Sequence, residues 1–213
     1  MKARQFSTKS SFIKKVLDIL TKKPQNVPSQ HIDNFIFIHI NKTGGSSIEK
    51  ALGLSLEHKT ALEKIEEIGY KKWKNCFSFT VVRNPWDKVV SHYHHRVQTN
   101  QTDLGVRPVK FKDWVKLTYR DKDSFYYDKP KMFMPQTDWI TDHDGQILVD
   151  YICRFENISH DFSYVCGILG KTVSLPHIKA SKRDHYTVYY DKETIEIIAS
   201  WFREDIKRFG YEY

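Results

Sequence analysis

Residues 35–53, FIFIHINKTGGSSIEKALG, join an apolar run to two glycines, two serines and the start of an amphipathic segment. The run FIFIHI (35–40) has the character of a strand buried on both faces. Residues 46–54 have the spacing of a helix. A buried strand that turns through glycines into a helix is the repeating unit of α/β folds. The turn also carries chemistry. A helix N-terminus presents unpaired N–H groups and a partial positive charge, and so attracts anions. Gly44 and Gly45 let the backbone approach an oxygen closely, Ser46 and Ser47 add hydroxyl donors, and Lys42 brings a full charge. Ser46 and Glu49 have capping-box spacing. A capped helix start with no ligand would use the same residues. The ATP-binding pattern G-x-x-x-x-G-K-[ST] puts its lysine after the glycines. Here Lys42 comes before them, so the loop is phosphate-binding in kind but is not an ordinary ATP loop.

Strand and helix patterns alternate outward from this turn. Residues 62–74 read as a helix with Leu62, Ile65, Ile68 and Trp73 inward, and FSFTVV (77–82) as a second buried strand. Asn84 as N-cap and Pro85 at the first helical position introduce a helix over 86–98. Residues 147–153 read as a third strand and 158–169 as a helix ending at Gly170. The segment 192–209 is amphipathic, with Asp191 able to cap it and Gly210 ending it. This order predicts an α/β, P-loop-like three-layer fold with a central, mostly parallel sheet flanked by helices. Residues 99–135 are less regular, with a helix expected around 111–119. Their stretch SFYYDKPKMFMP (124–135) reads either as a loop packed by its own side chains or as a lid or acceptor wall.

The 213 residues suit one domain of ordinary size. The net charge of +8 is unevenly spread. Residues 1–30 hold seven basic side chains and one acid, leaving 27 basic and 25 acidic side chains on the other 183 residues. The bulk of the chain is nearly neutral, which argues against a broad nucleic-acid-binding face. The tail contains SFIKKVLDIL, whose apolar residues have helical spacing. Such a helix could touch a membrane peripherally or dock on its own domain. Pro24 and Pro28 mark a linker, so a domain is expected over 31–213. Cys76, Cys153 and Cys166 form no CxxC pair and read as buried free thiols. No apolar run resembles a signal peptide or reaches the roughly 18 residues of a membrane span, which predicts a cytoplasmic protein.

A second motif lies in FSFTVVRNPWDKVVSHYHHR (77–96). Arg83 stands at the carboxyl end of a buried strand, where α/β sheets place ligands. Ser91 follows on the next helix, and the two could converge on one phosphate. Taken singly, Arg83 is as readily a salt-bridge partner and Ser91 a solvent-facing residue. His92, His94 and His95 spread round that helix, and no HExxH or paired carboxylate accompanies them, so no metal is expected.

Together the two motifs resemble those of sulfotransferases that use 3′-phosphoadenosine-5′-phosphosulfate (PAPS), the carbohydrate-type sulfotransferase family 2. That family's first loop reads like H-I-P-K-T-G-G-[TS]-S, against HINKTGGSS here, and its second like V-R-N-P-W-D-R-x-x-S, against VRNPWDKVVS. The resemblance continues through QTDWI (136–140), LVDYICRFENISHDF (148–162), LPHIKASKRDHY (175–186) and the ending FREDIKRFGYEY. It departs at Asn41, where proline is usual, at Lys88, where arginine is, and at Lys179, where asparagine is.

The resemblance implies that Lys42, Thr43, Gly44, Gly45, Ser46 and Ser47 hold the 5′-phosphosulfate. It implies that Arg83 and Ser91 hold the 3′-phosphate, and that Ser181, Lys182 and Arg183 belong to a late loop over the nucleotide. PAP would be the product, the acceptor a hydroxylated molecule such as a glycan, and no metal would be needed. Sulfuryl transfer needs a base to take the acceptor proton. His58, in SLEHKTALEK, matches the family's histidine between the two motifs and is the candidate catalytic base beside Lys42. Glu57 and Glu63 are weaker candidates, and His39 reads as a structural histidine within the strand. A P-loop-like kinase using ATP and a non-catalytic nucleotide-binding module are the competing readings. The misplaced lysine counts against the first and the intact motif spacing against the second.

Overall fold

The computed structural model describes residues 34–176 and 183–213. The basic tail with its SFIKKVLDIL segment, the expected domain start at 31, and Lys179, Ser181 and Lys182 lie outside the described residues.

Strands β1 (Phe35–Ile38), β2 (Phe77–Val82) and β3 (Tyr151–Arg154) form one parallel sheet in the order β1-β2-β3. Helices α1 (Gly45–Leu52), α2 (Ala61–Ile68) and α3 (Tyr70–Lys74) connect β1 to β2. Between β2 and β3 come α4 (Pro85–Gln98), α5 (Phe111–Val115), α6 (Pro130–Phe133) and α7 (Gln136–Ile140). After β3 follow α8 (Ile158–Leu169), α9 (Lys192–Trp201) and α10 (Arg203–Phe209).

Alternating strand side chains point to opposite faces of the sheet. Ile36, Ile38 and Val82 enter one core with Trp73, Trp139 and Phe209. Phe79, Val81 and Cys153 enter another with Ile48, Phe162 and Val165. The sheet is therefore covered on both faces by helices, as expected of a three-layer α/β fold. A third core lies under α4, where Trp86, Val89 and Val90 pack with Trp114, Phe133 and Phe202. All three cysteines are free and buried.

Several boundaries differ from expectation. The helix expected over 62–74 is parted at Gly69 (φ 84°, ψ 142°), and that over 192–209 at Phe202 (φ −100°, ψ 27°). Amphipathic spacing runs through both breaks, because Ile65, Ile68 and Trp73 face one core and Ile198, Phe202 and Ile206 face another. Helix α5 passes into a π turn, Lys116–Arg120. The first strand ends at Ile38 rather than at residue 40, and the third begins at Tyr151 rather than 147. Ile147 instead bridges antiparallel to Thr141, and the Leu148 N–H donates to the Ile140 carbonyl at 2.8 Å. Within 124–135, Phe133 is fully buried, Tyr127 packs on it and Asp128 pairs with Arg96 at 2.8 Å. That half of the stretch is a packed loop, whereas Phe125 faces solvent.

The C-terminal helix is tied to the sheet by a buried polar chain. The Asp205 carboxylate accepts the backbone N–H groups of Gln136 and Thr137, each at 2.8 Å, and the Thr137 hydroxyl at 2.9 Å. It thereby satisfies the start of α7 from outside that helix. Gln136 in turn accepts the Arg83 N–H and donates to the Arg83 carbonyl, both at 2.8 Å, so its amide extends β2 as a strand neighbour would. Asp205→Ala should strand two buried N–H groups and lower the unfolding free energy by roughly 2–4 kcal/mol, read as a drop in the urea midpoint at unchanged slope.

Candidate active site

The site lies at the carboxyl edge of the sheet, where β1 and β2 end. After Ile38 the chain turns through Lys42 and Gly44, both in the left-handed region (φ 65° and 86°). Only Gly44 suits that region without cost. Lys42 holds it because its carbonyl accepts a hydrogen bond from Arg83 Nη1 at 2.9 Å. A Cβ on Gly44 would come within 3.0 Å of Ile158 and 3.1 Å of Phe155, and one on Gly45 would overlap the His39 ring. Both glycines are thus needed for α1 to approach the strand ends closely. Gly44 is the N-cap position of α1, and no side chain caps it. The expected Ser46–Glu49 capping box is not formed: Ser46 is exposed and Glu49 turns inward.

Arg83 leaves the end of β2 and lies over the Phe155 ring, 3.8 Å from its centroid. Its Nε and Nη2 donate to Asp87 at 2.8 and 2.6 Å. The other oxygen of Asp87 takes the Arg183 guanidinium, so one carboxylate bridges two arginines. Burial, and next the Arg83 and Arg183 charges, hold the Lys42 ammonium down to about 8. Lys88, fully buried one turn into α4, is likewise held at about 8, chiefly by burial. Lys42, Arg83 and Arg183 therefore crowd together with Asp87, an excess of positive charge that an incoming anion would relieve.

A second cluster adjoins the loop. His39 Nδ1 lies 2.9 Å from Glu49 Oε1, and the Glu57 N–H donates to the same oxygen at 3.1 Å. His58 Nδ1 lies 3.0 Å from the His39 carbonyl oxygen, and the two rings are 4.3 Å apart. A carbonyl only accepts, so Nδ1 of His58 carries a hydrogen, and Nε2 is the nitrogen that holds the lone pair whenever the ring is neutral. Burial lowers the basicity of His39 and the neighbouring His58 lowers it further, against the pull of Glu49.

Residues 26–212 match the profile described as the Sulfotransferase family. The chain belongs to the sulfotransferase family. A crystal structure of a sulfotransferase from Alicyclobacillus acidocaldarius is similar at TM-score 0.42 and 13% identity, over 82% of this chain and 93% of that one. No curated protein matches the sequence significantly.

In this sulfotransferase the structure brings Lys42, Gly44, Gly45, Arg83 and Arg183 together and sets His58 beside His39. Thr43 is buried and donates its hydroxyl to the Ile40 carbonyl at 2.8 Å, which braces the loop from inside. Ser47 is buried on the first turn of α1. Ser91 is half-buried on α4, and among the described residues no hydrogen bond joins it to Arg83. His92 packs against Phe133, His94 against Tyr189, and His95 is half-buried. Among the described residues no group of three or more His, Cys, Asp or Glu is placed to hold a metal. The sequence reading gave no site role to Asp87, Gln136 or Asp205, and gave Glu49 only a capping-box role with Ser46. Asp87 left a signal there, its position four residues after Arg83 across the strand-to-helix turn.

Proposed function

We propose that this protein transfers a sulfuryl group from PAPS to a hydroxyl of a carbohydrate acceptor, with His58 as general base. The observation that carries the reading is the convergence of Lys42, Arg83 and Arg183 on a loop that Gly44 and Gly45 keep free of side chains. That set fits a nucleotide with anions at both ends. Lys42 and the 43–47 loop suit the 5′-phosphosulfate, and Arg83, with Ser91 and Arg183, suits the 3′-phosphate. Binding there would draw the arginines from Asp87 toward a stronger anion.

Bound PAPS would supply the activated sulfuryl group. Lys42 and the N-terminus of α1 would stabilise the negative charge that grows on the departing phosphate. His58, with Nδ1 donating to the His39 carbonyl, would take the acceptor proton on Nε2. The loop and Arg83 would hold donor and acceptor in line. Family membership supports sulfuryl rather than phosphoryl transfer, and so sets the kinase reading aside. Incubation with sulfur-labelled PAPS and a mixture of neutral and acidic oligosaccharides, with chelator present, tests the proposal. Label should pass to a sugar and PAP should appear in equal amount. No transfer of sulfur label, with phosphoryl transfer from γ-labelled ATP and Mg²⁺ in its place, would contradict it.

A further inference from the structure

Glu49 is an unusual residue to find on the inner face of α1. It is 4% exposed, its Oε1 serves two donors, and its Oε2 is buried without a hydrogen-bond partner. A half-satisfied buried carboxylate is costly. A carboxylate can only accept here, whereas an amide could turn its NH2 toward either donor, so only the carboxylate holds both donors in one arrangement. The two donors are informative. One is the His39 ring, which packs against His58. The other is the backbone N–H of Glu57, next to His58 in the chain. The His39 carbonyl then takes the His58 Nδ1 hydrogen at 3.0 Å. The His39 ring that packs on His58 and the Glu57 backbone next to it are therefore both tied to this carboxylate.

We propose that Glu49 and His39 are positioning residues for His58, anchoring its ring and its chain so that the Nδ1–H tautomer is held and Nε2 points away free. The proposal rests on the reading of His58 as base. Because the carboxylate only accepts, it fixes the His39 hydrogen on Nδ1 and keeps that ring from turning over. The groups facing His58 are the His39 ring, the edge of Trp139 at 6.3 Å, and Glu49 behind His39. Lys42 acts on His39 from the loop. Glu57 and Lys59, its chain neighbours, are engaged with each other and with Lys64 and Glu67.

Ring-nitrogen NMR on the full chain with bound PAP gives the test, alongside PAP release from PAPS with an oligosaccharide mixture. In the wild type His58 should show a protonated Nδ1 and an unprotonated Nε2. In Glu49→Gln the tautomers should mix, and kcat should fall about 10-fold with the KM for PAPS unchanged. His39→Phe keeps a ring but loses the Nδ1 donor, and should shift the His58 tautomer the same way. It provides the answer if Glu49→Gln does not fold. A His58 tautomer unmoved in the folded variant would overturn the positioning role. Undiminished turnover in His58→Ala would instead overturn the base assignment, whatever the tautomer does.

Discussion

Lys42→Ala should lower sulfuryl turnover by roughly 10²–10³-fold, the usual cost of removing one preorganised donor to a developing charge. The backbone there stays in the left-handed region in either variant, so the loss should come from the missing ammonium and not from a relaxed turn. Lys42→Arg should recover only part of it, because a planar guanidinium does not reproduce a compact ammonium beside Arg83 and Arg183. The same lysine gives the site a pH dependence. Its ammonium is held down to about 8 by burial and then by Arg83 and Arg183. The charged form is complete well below that pH and is lost as pH rises through it. A bound anion favours the charged form, so binding above about pH 8 should take up a proton and weaken with rising pH. Calorimetry of PAPS-analogue binding at pH 7 and pH 9, in buffers of different ionisation enthalpy, would read both effects. Affinity that is flat across this range would place Lys42 away from the anion.

The second large effect is expected at His58. His58→Ala removes the proposed base and should cut kcat by about 10²–10⁴-fold. It also removes the hydrogen bond to the His39 carbonyl, worth about 1 kcal/mol of stability, so the fold should survive. Affinity for PAP should be nearly unchanged, because His58 neighbours the His39 side of the loop and not Arg83. A fall in kcat with constant nucleotide affinity separates a base from a binding residue. Parallel losses in both would mark His58 as part of the loop's support instead.

Much of this molecule was legible in its sequence, for reasons tied to particular residues. The buried strands at 35 and 77 announced themselves by unbroken apolar runs, and Asn84-Pro85 announced α4, whose N-cap the structure bears out. Lys42 and Arg83 were visible because each stands at the end of such a strand, where α/β sheets keep their ligands. What escaped is mostly long-range. Gln136 and Asp205 support Arg83 from 53 residues away and then 69 further on, and no local spacing records such a contact. Glu49 did have a local pattern, the capping-box spacing from Ser46. The close approach of α1 to His39 gave its carboxylate a buried partner, and the tertiary contact won over the cap. The breaks at Gly69 and Phe202 escaped because periodicity measures which face is apolar, not whether the axis is continuous.

The most direct test of the account is calorimetry of PAP against ADP, without metal, on the wild type and Arg83→Ala. The account predicts metal-free binding of PAP that is much tighter than that of ADP, with the advantage lost in Arg83→Ala. Equal affinity for PAP and ADP, or binding that appears only when Mg²⁺ is added, would contradict it.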